Sequence, residues 1–255
     1  MALLELKNVS KYFGSLAALN DVSLEVNEGE LVGLVGPNGS GKTTLFNVVS
    51  GFYHPTKGEI IYDGERITGM RADKIAAMGL IRTFQSNILY RETTVLENII
   101  RGAYLESKTS SWQAFFNARD YRKEEAEIRR RAEEMLDFWG LSEVRDVLAS
   151  ELPHGLQRRL GLTVAQAANP KLLLIDEAVT GMTGDERAAV IEHIGRLHKQ
   201  GITMVVVEHH VQTVLTLSQR IIVLDFGHKI ADGNPYEALH QQNVIEAYLG
   251  TEEVA

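Results

Sequence analysis

Residues 31–49 read Leu31-Val-Gly-Leu-Val35, then Gly36-Pro-Asn-Gly-Ser-Gly-Lys-Thr43, then Thr44-Leu-Phe-Asn-Val-Val49. The apolar run predicts a buried strand, and Thr43 to Val49 reads as a helix closed by Gly51. Between them G-x-x-x-x-G-K-[ST] is complete, in the strand-then-helix setting that a phosphate-binding loop needs. Phosphate oxygens need several backbone N–H donors at once. Gly36, Gly39 and Gly41 let the chain wrap closely without Cβ clashes, and Pro37, Asn38 and Ser40 complete the loop. The helix that follows adds its N-terminal dipole. Lys42 would reach the β- and γ-phosphates, Thr43 would hold Mg²⁺ and Thr44 a further phosphate oxygen. The plain alternative is a Gly-rich turn before a helix; the intact flanks weigh against it.

Outward from this loop the chain alternates. Leu4, Leu6 and Val9, then Leu24 and Val26, read as strands, and Glu59 to Tyr62 is a strand entering a turn at Asp63-Gly64. Further strands are expected at Leu172–Ile175, Thr203–Val207 and Ile221–Leu224, with helices at Asp185–Lys199 and Val211–Leu217. Continuous apolar strands between helices are what a sheet covered on both faces requires. From Thr94 to Trp139 the pattern is helical, carried by Leu96, Ile99 and Ile100, then Ile128, Ala132, Met135, Leu136 and Trp139. Arg119 to Glu134 is dense in charge, with Glu125–Arg129 and Glu127–Arg131 as i,i+4 pairs of a solvated helix face. Glu106 to Asn117 reads as a loop or insertion. The expectation is an α/β core with a helical insertion.

The 255 residues carry 26 Lys and Arg against 34 Asp and Glu, a formal charge of −8, with 44% apolar residues and no cysteine. That charge fits nucleic acid poorly as a main ligand. Disulfides, thiol catalysis and Cys-based zinc sites are excluded. The apolar runs fall far short of the ~20 residues of a spanning helix, and the first residues do not read as a signal peptide. A soluble, cytoplasmic-type chain is expected.

Leu172-Leu-Leu-Ile-Asp176-Glu177 sets two carboxylates at the end of a buried strand. Alone they could cap the next helix. Beside a phosphate loop, Asp176 is placed to hold Mg²⁺ and Glu177 to polarise a water for attack on the γ-phosphate. His209 follows the strand Thr203–Val207 and could donate to a γ-phosphate oxygen, since ends of parallel strands converge on the ligand crevice. Its bland reading is a cap or surface residue, which is also the reading for His210.

The order Gly36–Thr43, Arg82-Thr-Phe-Gln85, Leu152-Pro-His-Gly-Leu156, Leu172–Glu177 and Glu208-His209 resembles the ATP-binding subunits of ABC transporters over nearly the whole chain. Within that family, Gly79–Gln85, Thr94-Val-Leu-Glu-Asn98 and Gly181-Met-Thr183 resemble the ATPases of branched-chain amino acid importers, the LivG type. The resemblance implies a P-loop NTPase (RecA-like) core, an antiparallel β subdomain and an inserted helical subdomain. The core would be 1–85 and 161–255, and the insertion 86–160. It implies that Phe13, or less favourably Tyr12, stacks on adenine. It implies that Gln85 senses Mg²⁺ and the attacking water and links to membrane permease subunits. It also implies ATP and Mg²⁺ as ligands, a peripheral position on the cytoplasmic membrane face, a second ABC ATPase subunit and, indirectly, a substrate-binding protein.

Several positions depart from the family pattern. The signature, commonly Leu-Ser-Gly-Gly-Gln, reads Leu152-Pro153-His154-Gly155-Leu156, so a serine hydroxyl and a glycine are lost. Gly155 and the following helix still offer N–H donors, and Pro153 is tolerated near a helix start. Ala178 stands where a proline is usual, and Thr183 where an aspartate is usual. The weakened signature raises a catalytically weak or regulatory subunit as the alternative and favours a heterodimer over a homodimer. An ABC ATPase of DNA maintenance fits worse, because Gln85 to Glu151 leaves no room for a long coiled coil. No Asn-Lys-x-Asp guanine motif occurs.

Overall fold

The computed structural model describes residues 1–83, 89–104, 118–208 and 211–249. Strands β1 (Ala2–Phe13) and β2 (Leu16–Asn27) pair antiparallel, bulged between Leu6 and Val9, and bury Leu4, Leu6, Val9, Leu19, Val22 and Leu24. β4 (Lys57–Tyr62) adds to the free edge of β1, and β5 (Glu65–Arg66) returns through Asp63-Gly64, both at positive φ (51° and 76°). Two such residues are what a tight hairpin turn demands. The result is a four-stranded antiparallel sheet of order β2-β1-β4-β5.

The second sheet has the order β10-β9-β3-β8-β7-β6. Its strands are β3 (Leu31–Val35), β6 (Leu80–Arg82), β7 (Leu172–Asp176), β8 (Thr203–Val207), β9 (Arg220–Asp225) and β10 (His228–Gly233). All neighbours are parallel except β10, which folds back on β9. Every residue of β3, β7 and β8 is buried. Because side chains alternate across a strand, the two faces serve different cores. Val32, Leu34, Leu172, Leu174, Val205 and Val207 join the antiparallel sheet and helix α1 (Lys42–Val49). Leu31, Leu173, Ile175, Met204 and Val206 join the helical part of the chain.

That part contains α3 (Val95–Ala103), α4 (Ala118–Trp139) and α5 (His154–Ala167); a short α2 (Ala72–Ala77) precedes β6. The helical pattern expected over 94–139 is present in α3 and α4 among the described residues, and the expected loop Glu106–Asn117 lies outside them. Thr94 starts α3 with a capping box: the Glu97 N–H donates to Thr94 Oγ1 (3.2 Å), and the Thr94 N–H to Glu97 Oε2 (3.0 Å). Ile99, Ala132, Leu136, Trp139 and Leu160 are buried together, and Trp139 Nε1 donates to Gln166 Oε1 of α5 (2.7 Å). On the solvent side of α4 Arg130 pairs with Glu127 and Glu134, and Arg131 adds its field to Glu127. Helix α5 runs unbroken through residues 160 and 161. α6 (Gly184–Lys199), α7 (Val211–Leu217), α8 (Pro235–Leu239) and α9 (Gln242–Leu249) complete the chain. Among the described residues no helix is long and apolar enough to cross a membrane.

Gly102 is where α3 meets α5: a Cβ there would lie 2.6 Å from the Val164 carbonyl oxygen. Gly102→Ala is expected to lower the unfolding free energy by about 1–3 kcal/mol, the usual cost of overpacking a fixed backbone. A urea midpoint unchanged from the parent would show that the two helices separate freely.

Candidate active site

The loop between β3 and α1 is wedged between two other stretches of backbone. A Cβ on Gly36 (φ 151°) would sit 2.1 Å from the Leu224 carbonyl oxygen of β9, and one on Gly41 (φ 108°) 2.6 Å from that of Ala18 on β2. Gly39 (φ 80°) has open space around it, so there only the backbone conformation calls for glycine. The turn after β9 braces the loop from outside: the Gly227 N–H donates to the Ser40 carbonyl (2.9 Å), and the Asn20 N–H to the Gly227 carbonyl (2.8 Å). Lys42 folds back along the loop and donates from Nζ to the carbonyls of Gly36 (2.7 Å) and Pro37 (2.8 Å). Burial pushes its ammonium below the ordinary lysine range, while the Glu177 and Asp176 carboxylates pull it back up. Its charge therefore lies within the field of both acids.

Asp176 closes β7 and is 4% exposed. Oδ2 accepts from Arg82 Nη2 (2.8 Å), and the Asp176 N–H donates to Thr83 Oγ1 (3.0 Å). Oδ1 is buried and has no hydrogen-bond partner among the described residues. A buried carboxylate oxygen left open in this way suits a divalent cation or its bound water. Thr43 is exposed at the start of α1 and lines a cleft together with Glu177. No group of three or more His, Asp or Glu is gathered among the described residues, so a cation here would draw part of its shell from phosphate oxygens. Glu177 has φ 50°, a left-handed conformation uncommon for a non-glycine residue and frequent at functional sites. The chain is held there by its N–H, which donates to the Val207 carbonyl (2.9 Å), and by Glu208 Oε1, which accepts from the Val179 N–H (3.0 Å).

A cleft of about 360 Å³ joins these groups: Asn38 to Thr44 form its floor, Glu177 one end, and Phe13, Leu16 and Phe226 the apolar end. Phe13 is 42% exposed and meets Tyr53 edge-on (5.3 Å between ring centroids). Tyr12 is turned away, with its hydroxyl donating to Asn20 Oδ1 (3.1 Å). Phe226, 79% exposed at φ 41°, escaped the sequence reading. Its only sequence signal is an aromatic beside Gly227 in a hairpin turn. Arg82 belongs to the motif ending at Gln85, and nothing local in the sequence announces its contact with Asp176.

Gln85, His209 and His210 lie outside the described residues. The segment Pro153-His154-Gly155 is separate from this cleft and forms the start of α5, with Pro153 as its N-cap and Pro153 and His154 exposed. Thr183, in place of an aspartate, caps α6: Glu186 Oε2 accepts from its N–H and its hydroxyl, both at 3.0 Å. Those hydrogen bonds hold the Glu186 carboxyl below its ordinary range, helped by Arg159 and His154. A Cβ on Gly155 would lie 2.5 Å from Glu186 Oε1, so the signature segment abuts a carboxylate.

The ABC transporter family matches residues 19–180. The high-affinity branched-chain amino acid transport ATP-binding protein LivG of Salmonella typhimurium is 38% identical over 97% of this chain and 98% of its own. BraF of Pseudomonas aeruginosa, a protein of the same description, is 36% identical over the same shares. The ADP conformation of the ATP-binding cassette MJ1267 superposes with a TM-score of 0.84 at 32% identity, over 98% of this chain and 99% of that one. A dimeric post-hydrolysis state of the cassette MJ0796, bound to ADP and Pi, gives 0.77 at 27% identity, over 91% and 98%.

Gly36→Ala is expected to cost about 2 kcal/mol or more in stability, because backbone rather than a movable side chain opposes the new methyl. It should also weaken nucleotide binding. Parent-like values in both urea unfolding and an ATP titration would show that the loop is not wedged.

Proposed function

The chain belongs to the ABC transporter family as an ATP-binding, ATP-hydrolysing subunit, and from that footing we propose that it powers an importer of branched-chain amino acids. The observation that supports the site is the cleft that Phe13, residues 38–44 of the phosphate loop and Glu177 line together. In this reading adenine rests on Phe13, and Gly36, Pro37, Asn38, Gly39, Ser40 and Gly41 cradle the phosphates. Lys42 leaves the carbonyls of Gly36 and Pro37 for the β- and γ-phosphates, and Thr44 takes a further phosphate oxygen. Thr43, Asp176 and Gln85 would hold Mg²⁺, which supplies charge neutralisation at the phosphates. Glu177 accepts a proton from the attacking water as its oxygen bonds to the γ-phosphorus and the β–γ bridging bond breaks. His209 donates to a γ-phosphate oxygen.

We further propose that residues 1–85 and 161–255 act as the nucleotide-binding core and that 86–160 dock on the membrane permease subunits, at the cytoplasmic face of the membrane. A substrate-binding protein would act upstream. The solute assignment rests on the names of LivG and BraF and on the extent of the likeness to them.

ABC cassettes pair, as in the MJ0796 dimer, and each site then uses one chain's phosphate loop and the other's signature. Here the signature helix lacks the serine, and Glu186 adds a negative charge beside Gly155 and His154. One lost donor to a developing phosphate charge costs roughly 2.7–4 kcal/mol at an active site. We therefore favour a heterodimer, in which an intact partner signature completes the site built on this chain's Glu177. The weak signature also supports the second reading, a regulatory nucleotide-binding subunit.

Lys42→Ala is expected to lose ATP affinity, and Glu177→Gln to keep ATP binding while turnover in the assembled transporter falls about a hundredfold or more. An unchanged rate for Glu177→Gln would move the base elsewhere. For the assembly, ATPase activity of the purified chain alone should be low and should rise on adding a related subunit with an intact signature. Full cooperative activity of this chain alone, abolished by His154→Ala, would sink the heterodimer and make His154 the replacement donor.

A further inference from the structure

Arg82 and Asp176 are 6% and 4% exposed at their side chains and lie 2.8 Å apart, on adjacent strands of the parallel sheet. The guanidinium spends its second arm on helix α1: Nη1 donates to Asn47 Oδ1 (2.6 Å), and the group rests over the Phe46 ring at 5.6 Å. One planar fork thus ties β6, β7 and α1 together. It occupies Oδ2 of Asp176, while Oδ1 keeps no partner among the described residues. The Asp176 N–H, fixed on Thr83 Oγ1, holds the backbone at the same point.

We propose that Arg82 is a positioning residue for the metal-dependent step of ATP binding. Its fork fixes the Asp176 carboxylate with Oδ1 presented and keeps it in register with the helix that begins at Lys42 and Thr43. This rests on the reading of Asp176 as a metal-holding residue given above. The chemistry favours arginine. Lysine offers a single point charge on a flexible stem, whereas the guanidinium reaches Asp176 and Asn47 from two separate nitrogens with its geometry preset. Partners of a metal-holding carboxylate commonly change metal affinity by about 10–100-fold when removed.

The test is calorimetric titration of the full chain with ATP, once in excess Mg²⁺ and once in EDTA. The quantity read is the factor by which Mg²⁺ tightens ATP. In Arg82→Met that factor is expected to fall about tenfold or more, with affinity in EDTA close to that of the parent. Arg82→Lys, which keeps the charge, and Asn47→Ala, which keeps the ion pair, should each lose part of it. Asp176→Asn separates the two claims. If Asp176→Asn loses the Mg²⁺ effect and Arg82→Met retains it, the inference about Arg82 fails alone. If Asp176→Asn also retains it, the metal reading of Asp176 fails first. A larger Mg²⁺ effect in Arg82→Met would also overturn the proposal, because the guanidinium would then act as a competing cation. Should Arg82→Met not fold, an Mg²⁺ effect unchanged in both Arg82→Lys and Asn47→Ala overturns it.

Discussion

The contact of bare backbone with bare backbone at Gly36 and Gly41 is the constraint on which the remaining architecture depends. A loop that offers N–H groups to phosphate must turn its carbonyls elsewhere and keep its shape without side chains to pack. Here the shape is imposed from outside, by the Leu224 and Ala18 carbonyls pressing on positions where no Cβ fits. That fixes the distance from β3 to the end of β9 and to the start of β2. The hydrogen bonds that pass through Gly227 then join all three. The antiparallel sheet is therefore part of the phosphate site, although none of its residues belongs to the phosphate-binding motif.

The buried strands follow from the same requirement. β3 must end at a set height for the loop to leave it, and β7 and β8 must end beside it for Asp176 and Glu208 to reach their partners. Full burial of these strands makes their register expensive to shift, since a slip of one residue exchanges the two faces. The faces are not equivalent: one packs on the antiparallel sheet and α1, the other on the helices. Glu177, in its left-handed conformation, sits where β7 leaves both cores at once.

Much of this was legible in the sequence because the signals are local. The strand–loop–helix at 31–49, the strands at 172, 203 and 221 and the helix at 211–217 follow from apolar runs and glycine spacing, and the structure has them within a residue or two. The loop glycines, Lys42 and the two carboxylates were readable for the same reason. What was not readable depends on contacts between distant segments. Arg82 meets Asp176 across 94 residues, Glu186 meets Gly155 across the turn of a separate helix, and Phe226 reaches the cleft only because β9 lies beside β3. On α4 the pairing that periodicity alone did not single out is that of Arg130, which has acidic neighbours three residues before it and four after and takes both. The departure at Thr183 resolved itself locally, since threonine caps α6 through Glu186.

Lys42, lying across the carbonyls of its own loop, carries a kinetic consequence. Its ammonium has two short hydrogen bonds, to the carbonyls of Gly36 and Pro37. If Lys42 serves the phosphates as proposed, a departing phosphate would not leave a bare buried cation behind; one set of oxygens would be traded for another. The exit barrier is then that of an exchange in which the new bonds form as the old ones break. A loop with no such internal stand-in would have to strand the charge first, and would hold its spent nucleotide longer.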